Sequence, residues 1–535
     1  MITQILLAAS GPVAAADLSA ALVMQPTRFA DWLIVLPVAL CIGFGAVLMM
    51  IRHRTRLHAS ISIMALCLLV ALDAALLWRV ASEGPFTMVM GRWLPPFGIA
   101  FTADLTGTVL ALAGAIAALA CAIYAARECE DRERRYGFYP FLMLLMAGVT
   151  GAFLTGDIFN LYVWFEVLLI SSFGLIVLGS TREQIDGALK YAVLNLLGTT
   201  LFLITVGYLY AIFGTLNMAD IARKATALGQ TAPLVTLASL FTLAFAMKAA
   251  AFPVNFWLPA SYHTPKIVVS ALFGGLLTKV GIYALLRVMV MLFPVQREEL
   301  SFVIAISAAL TMILGAMGAL AQNDLRRLLG YIVISGIGSI MAGVAIGTQA
   351  ALSGAIFYAL NSMVLMTALY LAIGYAARLG GAWTLSGLGG LYAAAPWFSA
   401  MVLVLFFAGT GLPPFSGFWP KAMLAKSAID IGAWWLAATI LISGFIITIA
   451  FGRAFLLCFW KPAAPQISRP AKTHPIATAA SGRRPSMMPV AALTFLIVIA
   501  GFFPEPLMKI SQSAAQTLGD PSTYIRSVFP QGALQ

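Results

Sequence analysis

The stretch Leu154–Gly179, LTGDIFNLYVWFEVLLISSFGLIVLG, leaves this chain few folds to choose from. It is long and apolar enough to cross a bilayer, which takes about 20 residues as a helix. Near its middle stands one carboxylate, Glu166, with apolar or small residues on both sides. A charge at that depth costs at least ~2.5–3.5 kcal/mol, so it faces a bundle interior and needs a partner there. Lone lysines in three other apolar segments, Lys248, Lys279 and Lys421, are the candidate partners. A buried glutamate among buried lysines is the outline of a path for protons.

Composition agrees with lipid as the solvent. Of 535 residues, 61% are hydrophobic and only 10% charged, against about 25% charged in soluble chains. In hydrocarbon every backbone polar group must be satisfied internally, by helices or a closed barrel. The apolar runs here are continuous rather than alternating, which excludes a barrel. The expected fold is all-α and integral to the membrane, with about fourteen transmembrane helices on a 20-residue window. They lie near 32–51, 60–79, 99–124, 138–155, 157–179, 187–214, 233–258 and 264–292, then 301–321, 327–347, 350–376, 393–425, 429–458 and 487–509. The span at 138–155 abuts the next, so the turn at Gly156–Asp157 must be tight.

The net charge of +12 could suggest nucleic acid, but its distribution argues against it. Basic residues crowd alternate loops: Arg52, Arg54 and Arg56; Arg127, Arg132, Arg134 and Arg135; Arg326 and Arg327; Lys461, Arg469, Lys472, Arg483 and Arg484. That bias fits the positive-inside rule with both termini outside. Five scattered cysteines with no CxxC, and four histidines, suggest neither a metal site nor a disulfide framework. No cofactor is expected. Residues 1–31 read as an N-terminal extension, since the first 20 lack the basic start of a signal peptide.

The first two spans look like packing helices of nearly pure hydrocarbon. Asp104, near the outer end of the third, suits a helix-start cap or a polar lining near a channel mouth. The loop RECEDRERR after it reads as a solvated turn. Lys190, near the start of the sixth span, is placed either to snorkel or to neighbour Glu166. In the seventh, Lys248 precedes Pro253 and Pro259, and proline removes a backbone donor and clashes with the preceding turn. The helix should break just past the lysine, freeing carbonyls that need partners. His263 follows the break. Lys279 lies deep in the eighth span, and Arg287 two turns on reads as a boundary anchor. The twelfth span repeats the device: Gly411, Pro413, Pro414 and Gly417 interrupt it, and Lys421 follows. Two interrupted spans in corresponding places mark an inverted-repeat transporter with its site at the breaks.

The run GDIFNLYVWFEV, with Glu166, resembles the fifth-helix signature of the D-type subunits of Mrp multisubunit cation/proton antiporters. That family is related to the antiporter-like proton-pumping subunits of respiratory complex I and membrane-bound hydrogenases. The resemblance runs over roughly residues 90–460. It implies two inverted five-helix repeats, helices 4–8 (138–292) and 9–13 (301–458), with helices 7 and 12 broken. Helices 1–3 (32–130) precede them, and a basic linker, last helix and tail (459–535) follow. It also implies a proton path of Glu166, Lys248, Lys279 and Lys421, joined by Lys190 and His263. The sequence departs from the family where relatives have ionisable groups in helices 10 and 11. Ser335 and Gly336 stand there in helix 10, and Asn361 and Ser362 in helix 11; Tyr331, Ser335, Tyr358 and Asn361 are a candidate polar lining.

What the resemblance implies is a secondary transporter subunit rather than an enzyme, moving H⁺ against Na⁺ or K⁺. Its partners would be the lipid bilayer and the other Mrp subunits of a bacterial inner-membrane complex. The alternatives are a proton-pumping arm of a complex I-type NADH:quinone oxidoreductase or membrane-bound hydrogenase, and a scaffold with a vestigial path.

Overall fold

The computed structural model describes residues 22–23, 27–228, 232–462 and 486–529. The expected basic linker falls largely outside the described residues, as does most of the N-terminal extension. The apolar segments fold as α1 (Leu36–Met50), α2 (Thr55–Glu83), α3 (Leu105–Glu128), α4 (Phe138–Leu154), α5 (Ile158–Val177), α6 (Arg182–Phe213) and α7 (Leu234–Ala249). They continue as α8 (Ile267–Leu292), α9 (Ser301–Ala321), α10 (Leu325–Ile346), α11 (Gln349–Gly380), α12 (Pro396–Thr410), α13 (Trp434–Trp460) and α14 (Met488–Phe502). Among the described residues, nine of these are long and apolar enough to cross a membrane singly, while α1, α4, α7 and α12 are shorter apolar helices. The chain is therefore an all-α, multi-pass membrane protein.

Polar residues mark where the helices start. Asp104 caps α3 by accepting from Gly107 N at 2.9 Å, and Asp157 caps α5 by accepting from Asn160 N at 2.8 Å. Thr181 and Gln184 form a capping box at α6, and Asp324 accepts from two backbone N–H groups at α10. Each cap satisfies donors that the first turn leaves orphaned. The turn between α4 and α5 is three residues long. Gly156 N donates to Ala100 O, and Gly156 O accepts from Met218 N, so the turn is stitched to two neighbouring segments.

Burial separates a centre from a rim. Helix α8 is buried along its whole length and α10 and α11 nearly so, whereas α2, α6, α9 and α13 keep much of one face outward. Small residues allow the close approach at the centre. A side chain on Gly281 of α8 would come within 2.9 Å of Ala249 N and 3.1 Å of the Lys248 carbonyl carbon. The helix carrying Lys279 thus rests directly on the backbone of the segment carrying Lys248.

Two helices stop in mid-course by one backbone device. Helix α7 ends one residue past Lys248, at Ala250 with φ +61°, and helical structure resumes at Trp257–Ser261. Helix α12 ends at Gly411 with φ +83°, and resumes at Phe418–Asp430. A second pairing matches it. Asp157, which precedes α5, bridges to Asn217 beyond α6; Asp324, which precedes α10, bridges to Thr384 beyond α11. Gly411 has two reasons to be glycine: a left-handed φ, which glycine adopts without penalty, and Lys421 Cδ, which would lie 2.7 Å from an added Cβ. Gly411→Ala is expected to displace Lys421 and reduce transport more than it reduces the amount of folded protein, measured as cation-driven proton flux per assembled complex.

The last span corrects the expectation of one helix to residue 509. Helix α14 stops at Phe502, and after Phe503–Pro504 the chain turns by 79° into the amphipathic helix Glu505–Gly519. That helix packs across α11 and α3, with Thr106 Oγ1 of α3 donating to Ala514 O. A final helix, Ser522–Val528, rests on the antiparallel hairpin β1 (Phe86–Val89) and β2 (Ala100–Ala103). The tail as far as residue 529, with no chemistry legible in its sequence, is part of the packed structure.

Candidate functional site

Glu166 lies two turns into α5, half-buried, on the side that meets α6 and the end of α7. Lys248 is buried, and its Nζ donates to Asn195 O of α6 at 3.0 Å and lies 5.8 Å from the Phe165 ring centroid. Asn195 O also accepts from Thr199 Oγ1 at 3.0 Å, so one helical carbonyl holds two side-chain donors. Glu166 and Lys248 are electrostatic neighbours but form no ion pair within 4.0 Å. The expected direct pair is thus open in this conformation: the ammonium has taken a backbone carbonyl instead.

The other two lysines are held in the same manner. Lys279 is buried, and its Nζ donates to Gly274 O at 2.7 Å, within the π-helical turn Phe273–Leu277 of α8. Lys421 Nζ reaches back from the first turn of Phe418–Asp430 to Thr410 O at 2.6 Å and Gly409 O at 3.4 Å, where α12 ends. Irregular turns at functional sites commonly expose such carbonyls. None of the three ammonium groups is neutralised by a carboxylate within 4 Å among the described residues. A lysine held only by neutral dipoles in a low-dielectric interior is one that can give up its proton.

Lys190 does not join them. It is exposed on α6 and paired with Asp186 one turn earlier, so it neighbours the outer face rather than Glu166. The i, i+4 spacing of Asp186 and Lys190 is the signal that could have placed it. Asp104 and Arg287, expected as a cap or lining and as a boundary anchor, belong to one site. The structure brings them together as a fully buried bidentate pair, Nη1–Oδ2 2.6 Å and Nη2–Oδ1 2.8 Å, with Tyr283 OH at 2.8 Å from Nη2. Arg287 also lies 5.4 Å from the Tyr524 ring centroid, so the C-terminal helix completes the pocket. The RECEDRERR loop is not simply solvated either. Glu128 and Glu133 are buried, against Arg378 at 3.6 Å and Lys266 respectively. Those partners stand at the end of α11 and the start of α8, out of reach of any local pattern.

His263 is half-buried beyond the break in α7. Its Nδ1 lies 2.8 Å from Pro259 O, and Arg327 Nη2 of α10 lies 3.1 Å from its Nε2. Burial, then the charges of Arg327 and Arg326, push its pKa down to about 4. Because that lies below the ordinary value near 6.5, the neutral ring contributes its stability in full above pH 6.5. That contribution is lost as the pH falls through about 4. Hydrogen exchange of segment 259–266 is expected to accelerate across that window in the wild type, and to change less in His263→Gln. Asp324 faces the opposite balance. Burial opposes its charge, but Arg326 at 2.8 Å and two backbone N–H groups hold its carboxyl below the usual range.

In the second half, Ser335 Oγ donates to Met312 O at 3.0 Å, Ser339 Oγ donates to Ser335 O, and Tyr358 hydrogen-bonds with Ser339. Asn361 is buried one turn beyond Tyr358. Tyr331 stands apart, its ring packed on Gly318 of α9. Ser339, absent from the expected lining, is the link between Ser335 and Tyr358.

The bundle of broken helices with lysines at its core has a counterpart in known proteins. The family described as "NADH:quinone oxidoreductase/Mrp antiporter, TM" matches residues 155–447, and the chain belongs to that family of membrane subunits. Within it, the chain is 38% identical over 499 residues to the D subunit of the Na(+)/H(+) antiporter of Alkalihalophilus pseudofirmus, covering 93% of this chain and 99% of that one. It is 35% identical over 498 residues to the corresponding Na(+)/H(+) antiporter subunit from Bacillus subtilis, with coverage of 93% and 99%. The fold matches a chain of the Mrp complex from Dietzia sp. DQ12-45-1b with a TM-score of 0.85 and 29% identity, covering 94% of this chain and 100% of that one. The chain is a member of the D-type branch of the Mrp antiporter subunits.

Proposed function

We propose that this chain is the proton-translocating D-type subunit of a multisubunit Na⁺(K⁺)/H⁺ antiporter, passing protons along Glu166, Lys248, Lys279 and Lys421 in exchange for cation efflux. The observation that carries the reading is the shared state of the three lysines. Each ammonium is set on a backbone carbonyl, of neighbouring α6 for Lys248, of the π-helical turn of its own helix for Lys279 and of the interrupted α12 for Lys421, with no carboxylate in contact among the described residues. Closing the gap between Glu166 and Lys248 would hold the proton on Lys248, and opening it would release the proton toward Lys279. The cost of an unpaired buried charge supplies the switch.

The same reading places ten of fourteen crossings in two inverted repeats, 138–292 and 301–458. The paired breaks at Ala250 and Gly411 and the paired bridges at Asp157 and Asp324 support it. Both termini would face outward across a bacterial inner membrane, and the partners would be the other Mrp subunits. A redox-driven pump of the complex I type has the same architecture but gains no observation of its own here.

The test is Na⁺- or K⁺-dependent alkalinisation in everted vesicles from an antiporter-deficient host carrying the whole complex. Glu166→Ala and Lys248→Ala should both abolish it with the complex still assembled. Transport that survives both changes would leave the Glu–Lys axis a structural feature.

A further inference from the structure

Helix α2 is one of the two expected to be packing helices of nearly pure hydrocarbon, yet it buries a carboxylate at mid-length. Asp73 is 0% exposed, and neither of its oxygens has a hydrogen-bond partner. It lies on the face of α2 that also buries Leu66, Leu69, Leu76 and Val80, so the side chain points into the bundle rather than into lipid. No cation among the described residues pairs with it: Arg79 on its own helix is taken by Asp31 and Glu83, and the arginines of the short helix Asp131–Arg135, which also packs on α2, form no ion pair with it. Helix α1 brings the Cys41 thiol, and between their ends α3 and α4 bring only Cys121, Tyr124 and Tyr139 as ionisable groups. Further along the same face, Ser62 and His58 are also fully buried, with Ser62 Oγ and His58 Nδ1 unpartnered.

An ionised carboxylate buried without hydrogen-bond donors or counter-ions from the protein is among the most costly groups to bury. Leucine would pack at this position without that cost, and ionisable residues inside membrane spans mark ion or proton sites by default. We infer that Asp73 is a proton-binding carboxyl group in the α1–α2–α3–α4 packet, a second site that loads and unloads a proton during transport, off the Glu166–Lys248–Lys279–Lys421 line.

The test uses the assembled complex in membrane vesicles and dicyclohexylcarbodiimide, a lipid-soluble probe. A proton-bearing carboxyl adds across its C=N bond, the proton going to nitrogen, and the O-acylisourea rearranges to a stable N-acylurea with nothing lost. Mass spectrometry should find the adduct on the Asp73 peptide, absent in Asp73→Asn. The Asp73→Asn complex should assemble and lose most of its cation-driven proton flux, with Asp73→Glu restoring both flux and labelling. Failure to label wild-type Asp73 would overturn the inference, as would labelling combined with wild-type flux in Asp73→Asn. Labelling is read without transport, so an inert Glu166–Lys248 axis would leave this part of the result standing.

Discussion

Lys279→Met is expected to leave the complex assembled and to lower cation-driven proton flux by about 100-fold or more, the scale on which a positioned proton-transfer group acts. The substitution keeps the length and the apolar stem of the side chain. It removes only the ammonium that donates to Gly274 O, inside a helix buried along its whole length. An apolar residue of similar volume is tolerated in such a core, and the charge it replaces has no carboxylate partner to strand. Lys279→Arg should be equally inactive, because a guanidinium stays charged and cannot hand its proton on. The measurement is initial flux in everted vesicles, normalised to complex extracted from the same membranes. Flux near the wild-type level in Lys279→Met would end the proton line at Lys248.

Arg287→Ala should act in the opposite manner, on the protein rather than on its protons. It strands the Asp104 carboxylate, which sits fully buried against Arg287 at 2.6 and 2.8 Å. Breaking a buried pair from one side typically costs about 3–5 kcal/mol, whereas replacing both partners by packed apolar residues is often neutral. The expected result is a sharp fall in the amount of complex and in its thermal midpoint for Arg287→Ala and Asp104→Leu singly. Much of the loss should return in Arg287→Met with Asp104→Leu. Flux in the rescued double variant then separates two roles for Asp104: near-normal flux means a structural lock under the C-terminal helix, and its loss means a polar lining of the path.

The amino-acid sequence by itself determined the solvent, the helical class and the places where helices fail. Long uncharged runs admit only helices in lipid. The prolines and glycines at 253, 411, 413, 414 and 417 end α7 and α12 wherever those helices are packed. It also showed which charges had no business in hydrocarbon, Lys248, Lys279 and Lys421 among them. It did not show whom they meet. Asp104 and Arg287 lie 183 positions apart, and Lys266 reaches Glu133 across 133. Lys190 chose Asp186 on its own helix, and Lys248 chose a carbonyl of α6 over Glu166. Such choices depend on which helix faces are pressed together and how closely, as where Gly281 admits α8 onto the backbone at Lys248. Backbone breaks are local steric events and can be read from neighbours in the chain; the pairing of buried charges is a property of the packing, and only the tertiary structure decides it.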